Sequence, residues 1–300
     1  MENAGVISAI NGTKNMSLTK ENVNKHSTLA LNMWRDLWKE NCLKNKDKIY
    51  NSHKDFLNIY KDKIAVLFAY GPSFEDNVNK IKDSDIFINR DKYVIGCVDK
   101  AFKPLCEKGV YPDYCLLADG TISAEDWLHG VDNAHVQNCY LVSNIYGSSG
   151  WCQHWNDVAG KEKIIFYLNK DNIKSEEIFG PIAEFYEVIE AASNCGNSLA
   201  VFTTKIFGCK TTLLFAFDYG FTNQYYGTCD SDKRWKFGTN TKIDIHGDLI
   251  RNTSNMDFSA TWLETYIAYS LEKYKAKIIN YTNNGLIRGK EAMEVEVKIY

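Results

Sequence analysis

The first residues whose types and order could do chemistry are Gly71, Pro72 and Ser73, which end an apolar run and precede a helical pattern. Glycine permits a tight turn with close backbone approach, proline fixes φ, and serine can cap a helix. The free N–H groups at a helix N-terminus bind anions. The tripeptide therefore predicts either a cradle for a nucleotide phosphate or an ordinary strand-to-helix turn. It is neither a Walker loop nor GxGxxG.

Two aspartates occupy similar positions after the next two apolar runs. Asp99 follows residues 93–98, and Asp119 follows residues 114–118. Carboxylates at neighbouring strand ends can bind ribose hydroxyls, coordinate Mg²⁺ or act as a general base. An aspartate in this position can equally be a helix cap.

Small polar residues follow the remaining runs. Asn144 comes after residues 139–142, and Asn197 and Ser198 open a further helix. Asp218 directly follows the apolar run 212–217, and a short loop separates it from Tyr226. A loop of small residues at a helix N-terminus suits an anion or the edge of a sugar. All of these residues are therefore candidates for nucleotide binding.

One histidine lies in a setting that suits catalysis. His246 belongs to a polar segment, about 222–256, that also contains Arg234 and Arg251. It is either a general base or a solvated loop residue. We find no zinc-ligand spacing and no GxSxG nucleophile elbow in the sequence.

The elements that would position these residues form an alternating pattern. Continuous apolar runs suit strands buried on both faces of a parallel sheet, and helical patterns lie between several of them. Alternation of this kind predicts an α/β, Rossmann-like fold with a mainly parallel sheet flanked by helices. We expect residues 1–60 to form a helical N-terminal extension and residues 61–300 to form the α/β domain. The strand-end residues should then face one cleft.

Composition excludes several classes of function. The chain has 35 basic and 38 acidic side chains and a formal charge of −3. It therefore lacks the excess of positive charge that is typical of proteins that bind nucleic-acid polymers or membrane surfaces. Its 9 cysteines are scattered without CxxC spacing, which favours reduced thiols. No apolar run approaches the roughly 18 residues of a membrane span. We expect a soluble, cytoplasmic protein of undetermined oligomeric state.

Four segments together resemble a known superfamily. They are, in order, residues 64–78 (IAVLFAYGPSFEDNV), 108–120 (KGVYPDYCLLADG), 196–220 (GNSLAVFTTKIFGCKTTLLFAFDYG) and 280–289 (NYTNNGLIRG). They look like the 6-hydroxymethylpterin diphosphokinase (MptE-like) domain and the motility-associated-factor (Maf) glycosyltransferases. The superfamily is in turn distantly similar to bacterial CMP-sialic-acid-dependent sialyltransferases.

The resemblance to the sialyltransferases implies roles for individual residues. Gly71 and Ser73 would hold the nucleotide phosphate, while Asn197 and Ser198 would hold nucleotide or sugar. Tyr226 would donate a hydrogen bond to the departing phosphate, and His246 would deprotonate the acceptor hydroxyl.

Three functional hypotheses follow. The first is glycosyl transfer from a nucleotide-activated sugar, of the CMP-linked nonulosonic acid type, to a small-molecule, glycan or protein acceptor without an obligatory metal. The second is diphosphate transfer from ATP to a pterin, with Mg²⁺ on Asp99 and Asp119. The third is a non-catalytic nucleotide-binding module.

Overall fold

The apolar runs of the sequence form strands in the structure, a computed structural model. It describes residues 20–51, 53–82, 84–169, 187–189, 194–221, 227, 240–282 and 284–287. Tyr226 and Arg234 lie outside these residues. The strands are β1 Ile64–Phe68, β2 Tyr93–Val98, β3 Tyr114–Leu117, β4 Tyr140–Asn144, β5 Ile164–Asn169, β6 Glu187–Ile189, β7 Thr211–Phe215, β8 Asn240–Ile243, β9 Leu249–Asn252 and β10 Lys277–Asn280.

Helices lie between most of these strands. They are α1 Lys20–Asn45, α2 Phe74–Ile81, α3 Asp85–Ile88, α4 Asp99–Glu107, α5 Ala124–Leu128, α6 Asn133–Gln137, α7 Ser149–Ala159, α8 Cys195–Val201 and α9 Ser254–Tyr274. A π-helical turn, Phe202–Ile206, continues α8, and short 3₁₀ turns occur at Lys46–Lys48, His53–Phe56 and Lys161–Lys163. Within the described residues, no helix is long and apolar enough to cross a bilayer.

By their internal contacts the described residues divide into two units. The first includes those of Tyr60–Val94 and Cys209–Tyr300, and the second those of Glu21–Ile59 and Ile95–Gly208. In the first unit, parallel strands lie in the order β10–β7–β1, and β8 pairs with β9 as an antiparallel hairpin. In the second unit, the order is β2–β3–β4–β5–β6, again parallel. The predicted α/β, Rossmann-like class with its helical N-terminal segment is confirmed.

The hairpin β8–β9 differs from the sequence-based expectation, which treated residues 222–256 as a polar loop. Its strands are short, and only Ile250 and Asn252 of β9 are buried. A strand with one buried position in two carries no apolar run, so a search for such runs misses it.

Helix α1 packs in the second unit through a face that contains asparagine as well as apolar residues. Trp38 stacks on Tyr146 with ring centroids 4.5 Å apart. The Asn41 amide donates to the carbonyl oxygens of Gly120 and Tyr146, each at 3.1 Å, and its Oδ1 accepts from the backbone N–H of Ser149. These bonds hold the loop that follows β3, which contains Asp119, and the loop that begins directly after Asn144, the last residue of β4.

Replacement of Asn41 by alanine should lower the free energy of unfolding by at least about 2 kcal/mol, because buried carbonyl oxygens lose their donor. Urea denaturation measures this change. Glu40→Ala, one residue away, is the matched control. It removes only an exposed ion pair with Lys44 and should cost less than about 0.5 kcal/mol. Equal effects of the two substitutions would contradict the anchoring role of Asn41.

Candidate functional site

In the first unit, the loop after β1 meets the residue that follows β7. The Ser73 hydroxyl donates to Asp218 Oδ2 at 2.9 Å, and the Ser73 backbone N–H lies 3.4 Å from the same oxygen. Ser73 and Asp218 are 4% and 3% exposed. The two residues are 145 positions apart, so only the parallel pairing of β1 with β7 brings them together.

The glycine at position 71 is required by this contact. A Cβ there would overlap the Asp218 carboxylate, and it would come within 2.8 Å of the Ala216 carbonyl oxygen. The Gly71 N–H donates to that same carbonyl at 3.1 Å. Close approach of carboxylate to backbone therefore explains the glycine without any ligand.

The donors of the Gly71–Pro72–Ser73 loop are used within the protein. The N–H of Gly71 bonds to Ala216, that of Phe74 bonds to the Gly71 carbonyl, and Pro72 has none. Ser73 precedes α2 but does not cap it, because its hydroxyl points to Asp218. The loop is thus held in one shape by internal bonds, and the predicted phosphate contact stays a prediction.

A second glycine, Gly285, packs against the backbone of Asp218. It has φ +91°, a conformation that favours glycine, and a Cβ would overlap the Asp218 carbonyl oxygen. The N–H of Leu286 donates to that oxygen at 3.0 Å. The Asn-Gly of this turn belongs to the segment 280–289, one of the four that resemble the superfamily, but the sequence indicated no role for it.

The Gly285 turn also holds the turn that carries His246. The N–H of Ile245 donates to the Gly285 carbonyl at 3.0 Å. The buried Asp244 carboxylate accepts from the N–H groups of His246 and Asp248, at 2.8 and 2.9 Å, and so shapes the β8–β9 turn. His246 itself is exposed. Two backbone hydrogen bonds therefore link the predicted base, through Gly285, to the strand-end Asp218.

In the second unit, Asp99 and Asp119 lie near one another at strand ends. Asp99 Oδ1 accepts from the Lys100 N–H at 2.7 Å, and Oδ2 lies 3.6 Å from Cys195 Sγ. Burial raises the pKa of Asp99 to about 6, and Asp119 contributes to the increase. Asp119 Oδ1 accepts from the N–H and hydroxyl of Thr121. Within the part of the chain that is described, no group of three or more His, Cys, Asp or Glu residues could hold a metal.

The other predicted binding residues of the second unit are buried. Asn144, Asn197 and Ser198 have no exposed surface. Asn194 caps α8 by accepting from the Asn197 N–H at 3.2 Å. Among the residues that the structure describes, the side-chain amide of Asn144 and the hydroxyl of Ser198 have no hydrogen-bond partner. A common cleft for all the predicted strand-end residues stays a prediction.

Burial also controls the charge of Asp218. It raises the pKa of this carboxyl from 3.8 to about 6, although the hydrogen bonds from Ser73 act in the opposite direction. Between pH 4 and 6 the folded state therefore binds more protons at this position than the unfolded state. It follows that the stability contributed here falls as pH rises through this window.

Replacement of Asp218 by asparagine should raise the free energy of unfolding at pH 7, by up to about 2–3 kcal/mol. It should also flatten the dependence of stability on pH between about 4 and 6. The asparagine oxygen still accepts from Ser73, so the loop keeps its shape. Urea denaturation at pH 7 and pH 5 measures both effects, with the exposed Asp126→Asn as control. A less stable Asp218→Asn variant with an unchanged pH slope would show that the carboxylate is ionised and stabilising.

The fold is similar to that of a solved glycosyltransferase. The Maf glycosyltransferase from Magnetospirillum magneticum AMB-1 matches with a TM-score of 0.60 and 17% sequence identity. The similarity covers 88% of this chain and 39% of that protein, so this chain spans well under half of its length. At this identity, the likeness shows a shared fold. A search of curated proteins finds no match.

A family comparison extends over much of the sequence. The family described as 6-hydroxymethylpterin diphosphokinase MptE-like matches residues 40–224. These residues exceed half of the 300-residue chain and include Gly71, Asp99, Asp119 and Asp218, whereas His246 and Gly285 lie beyond them. The resemblance drawn from the sequence motifs is thereby confirmed, and the chain belongs to the MptE-like family.

Proposed function

We propose that this protein is a nucleotide-dependent transferase that moves a glycosyl group from a CMP-linked nonulosonic acid to an acceptor hydroxyl. The observation that carries the proposal is the tethering of the His246 turn to Gly285 and, through Leu286, to Asp218. This arrangement presents an exposed imidazole from a turn that is hydrogen-bonded to the Asp218 strand end, in the same unit as the Gly71 loop. The names of the family and of the Maf neighbour both describe transfer reactions, which agrees with it.

The proposed chemistry needs one base and one stabilised leaving group. The imidazole of His246 accepts the proton of the acceptor hydroxyl as its oxygen bonds to the anomeric carbon. The bond from that carbon to the phosphate oxygen breaks, and CMP leaves with the electron pair. Imidazole suits this task near pH 7, and Tyr226 is proposed to donate to the departing phosphate.

Ser73, Asp218 and Gly285 are positioning residues in this proposal. Their contacts fix the strand-end loop and the turn that bears the base, so the reacting groups need little reorganisation. The donor would pack against the half-exposed residues Gly71 and Pro72, and the hydrogen bond to its phosphate would come from Tyr226 rather than from the buried Ser73 hydroxyl.

Replacement of His246 by alanine should lower turnover by about 10²–10⁴-fold, because a general base typically contributes this much. CMP release from a CMP-linked nonulosonic acid, with water as the acceptor, measures turnover. Calorimetry with CMP should give a dissociation constant within a few-fold of the wild type. His129→Ala, which changes another exposed histidine, should leave both quantities unchanged. Full activity of His246→Ala would remove this residue from the mechanism.

A second candidate, diphosphate transfer from ATP to 6-hydroxymethylpterin, is favoured by the pair Asp99 and Asp119. The two carboxyls are close enough for Asp119 to raise the pKa of Asp99. Carboxylate oxygens are the ligands that Mg²⁺ prefers, and one or two of them with substrate phosphates suffice to hold it. The pterin hydroxyl would then attack the β-phosphorus of ATP and lose its proton to solvent, while the bond from that phosphorus to the α–β bridging oxygen breaks and AMP leaves with the electron pair.

Metal dependence separates the two candidates. Under the glycosyl-transfer proposal, EDTA should leave CMP release largely intact, and ATP with 6-hydroxymethylpterin should give no AMP. AMP formation that requires Mg²⁺ and is abolished by Asp99→Asn or Asp119→Asn would instead establish the diphosphokinase. Asp126→Asn, on the exposed surface of α5, is the control for both assays.

A further inference from the structure

Three side chains of the second unit are fully buried and carry polar atoms that have no hydrogen-bond partner within the described part of the chain. They are Asn144 at the end of β4, Tyr167 in β5 and Ser198 in α8, each with no exposed surface. The unpaired atoms are both amide atoms of Asn144, the Tyr167 hydroxyl and the Ser198 hydroxyl. More than nine in ten buried polar groups in proteins are paired, so a group of four unpaired atoms requires an explanation.

The three side chains lie on the same side of strands β4 and β5. Asn144 and Tyr167 are register partners in the parallel pair β4–β5, so they project from the same side of the strands. The Tyr167 hydroxyl is close enough to Ser198 for the pKa of Tyr167 to be affected, although no standard hydrogen bond joins them. The Tyr167 ring packs against Phe202, directly after α8, with centroids 6.0 Å apart. The cluster therefore lies between these strands and the segment that begins with α8.

Two other buried asparagines of the second unit use their amide nitrogens within the protein. The amide nitrogens of Asn41 and Asn45 each donate to two backbone carbonyls. Asn144 makes no such bond, although it lies at the carboxyl end of a parallel strand, the edge at which α/β proteins bind ligands. An amide with both atoms unpaired offers one donor and one acceptor side by side.

The surrounding charge indicates which ligands fit. The groups that act on Tyr167 are Cys195, Tyr146, Ser198 and Asp99, and none of them is a cation. The buried Asp99 carboxyl lies on this side of the unit and disfavours an anion. Helix α8 has seven residues, and the cap of Asn194 already occupies the Asn197 N–H. The site thus suits hydroxyl or amide groups, which favours the sugar edge over the anion among the two ligands expected from the sequence.

We propose that Asn144, Tyr167 and Ser198 form a buried binding site for an uncharged, hydroxyl- or amide-bearing ring of a ligand. The site takes a nucleoside base or ribose, a pterin or an uncharged sugar, but not a phosphate. The proposal is independent of the role of His246, since all three residues belong to the second unit.

Paired measurements of stability and binding test the proposal. The variants are Asn144→Leu, Tyr167→Phe and Ser198→Ala, and the matched control is Thr212→Val, which removes an unpaired buried hydroxyl from β7 of the first unit. Each variant is heated alone and then titrated by calorimetry with cytidine, adenosine, 6-hydroxymethylpterin and N-acetylglucosamine. Inorganic phosphate is the charged probe. The probes separate the nucleoside, pterin and sugar sources.

We expect at least one neutral probe to bind the wild type and to bind each of the three variants about 5- to 100-fold more weakly. The free variants should unfold at the same or a higher temperature, because each loses an unpaired buried polar atom. Thr212→Val should bind like the wild type. Three outcomes would overturn the proposal: no neutral probe binds, binding is unchanged in all three variants, or the free variants unfold at lower temperature. The last would show that structural water pairs these atoms.

Discussion

Asp218 is the residue that holds the loops of the first unit together. Its side chain receives the hydroxyl of Ser73, and its backbone carbonyl receives the N–H of Leu286. Gly71 and Gly285 lie so close to it that neither position accommodates a Cβ. A buried carboxylate costs free energy; two contacts from Ser73 offset part of this cost, and burial still raises the pKa of Asp218 to about 6. The shape of the β1–α2 loop and the place of the His246 turn both depend on this arrangement.

Sequence patterns predicted the elements well where local chemistry controls them. The bounds of β2 coincide with the apolar run 93–98 because this strand lies in a parallel sheet and is buried on both faces. The hairpin β8–β9 was missed because it buries one residue in two. The expectation that Ser73 could cap the following helix was wrong for a different reason. Its local context favours a helix cap, but an acceptor 145 residues away competes successfully for the hydroxyl. Gly285 and Asn41 were assigned no role because their partners are backbone groups, which a sequence pattern does not show.

The candidate site was predicted in part. Position after an apolar run identified Gly71, Asp99, Asp119, Asn144 and Asp218, since the carboxyl ends of parallel strands gather polar residues. The pattern could not distinguish a residue that shapes a loop, such as Ser73, from one that is left with unpaired polar atoms, such as Asn144. That distinction depends on which hydrogen bonds are already made. Buried carboxyls with raised pKa values and unpaired amides reduce stability, and proteins retain such groups mainly where function requires them.

The central claim is that the loops around Asp218 and the turn of His246 form one site for a nucleotide-activated donor. A crystal structure of the protein with CMP bound tests it most directly. We expect the CMP phosphate beside Gly71 and Pro72, with the His246 imidazole facing the position from which the sugar would extend. A CMP molecule bound away from the Gly71 loop, or a His246 ring turned away from it in the complex, would contradict the account.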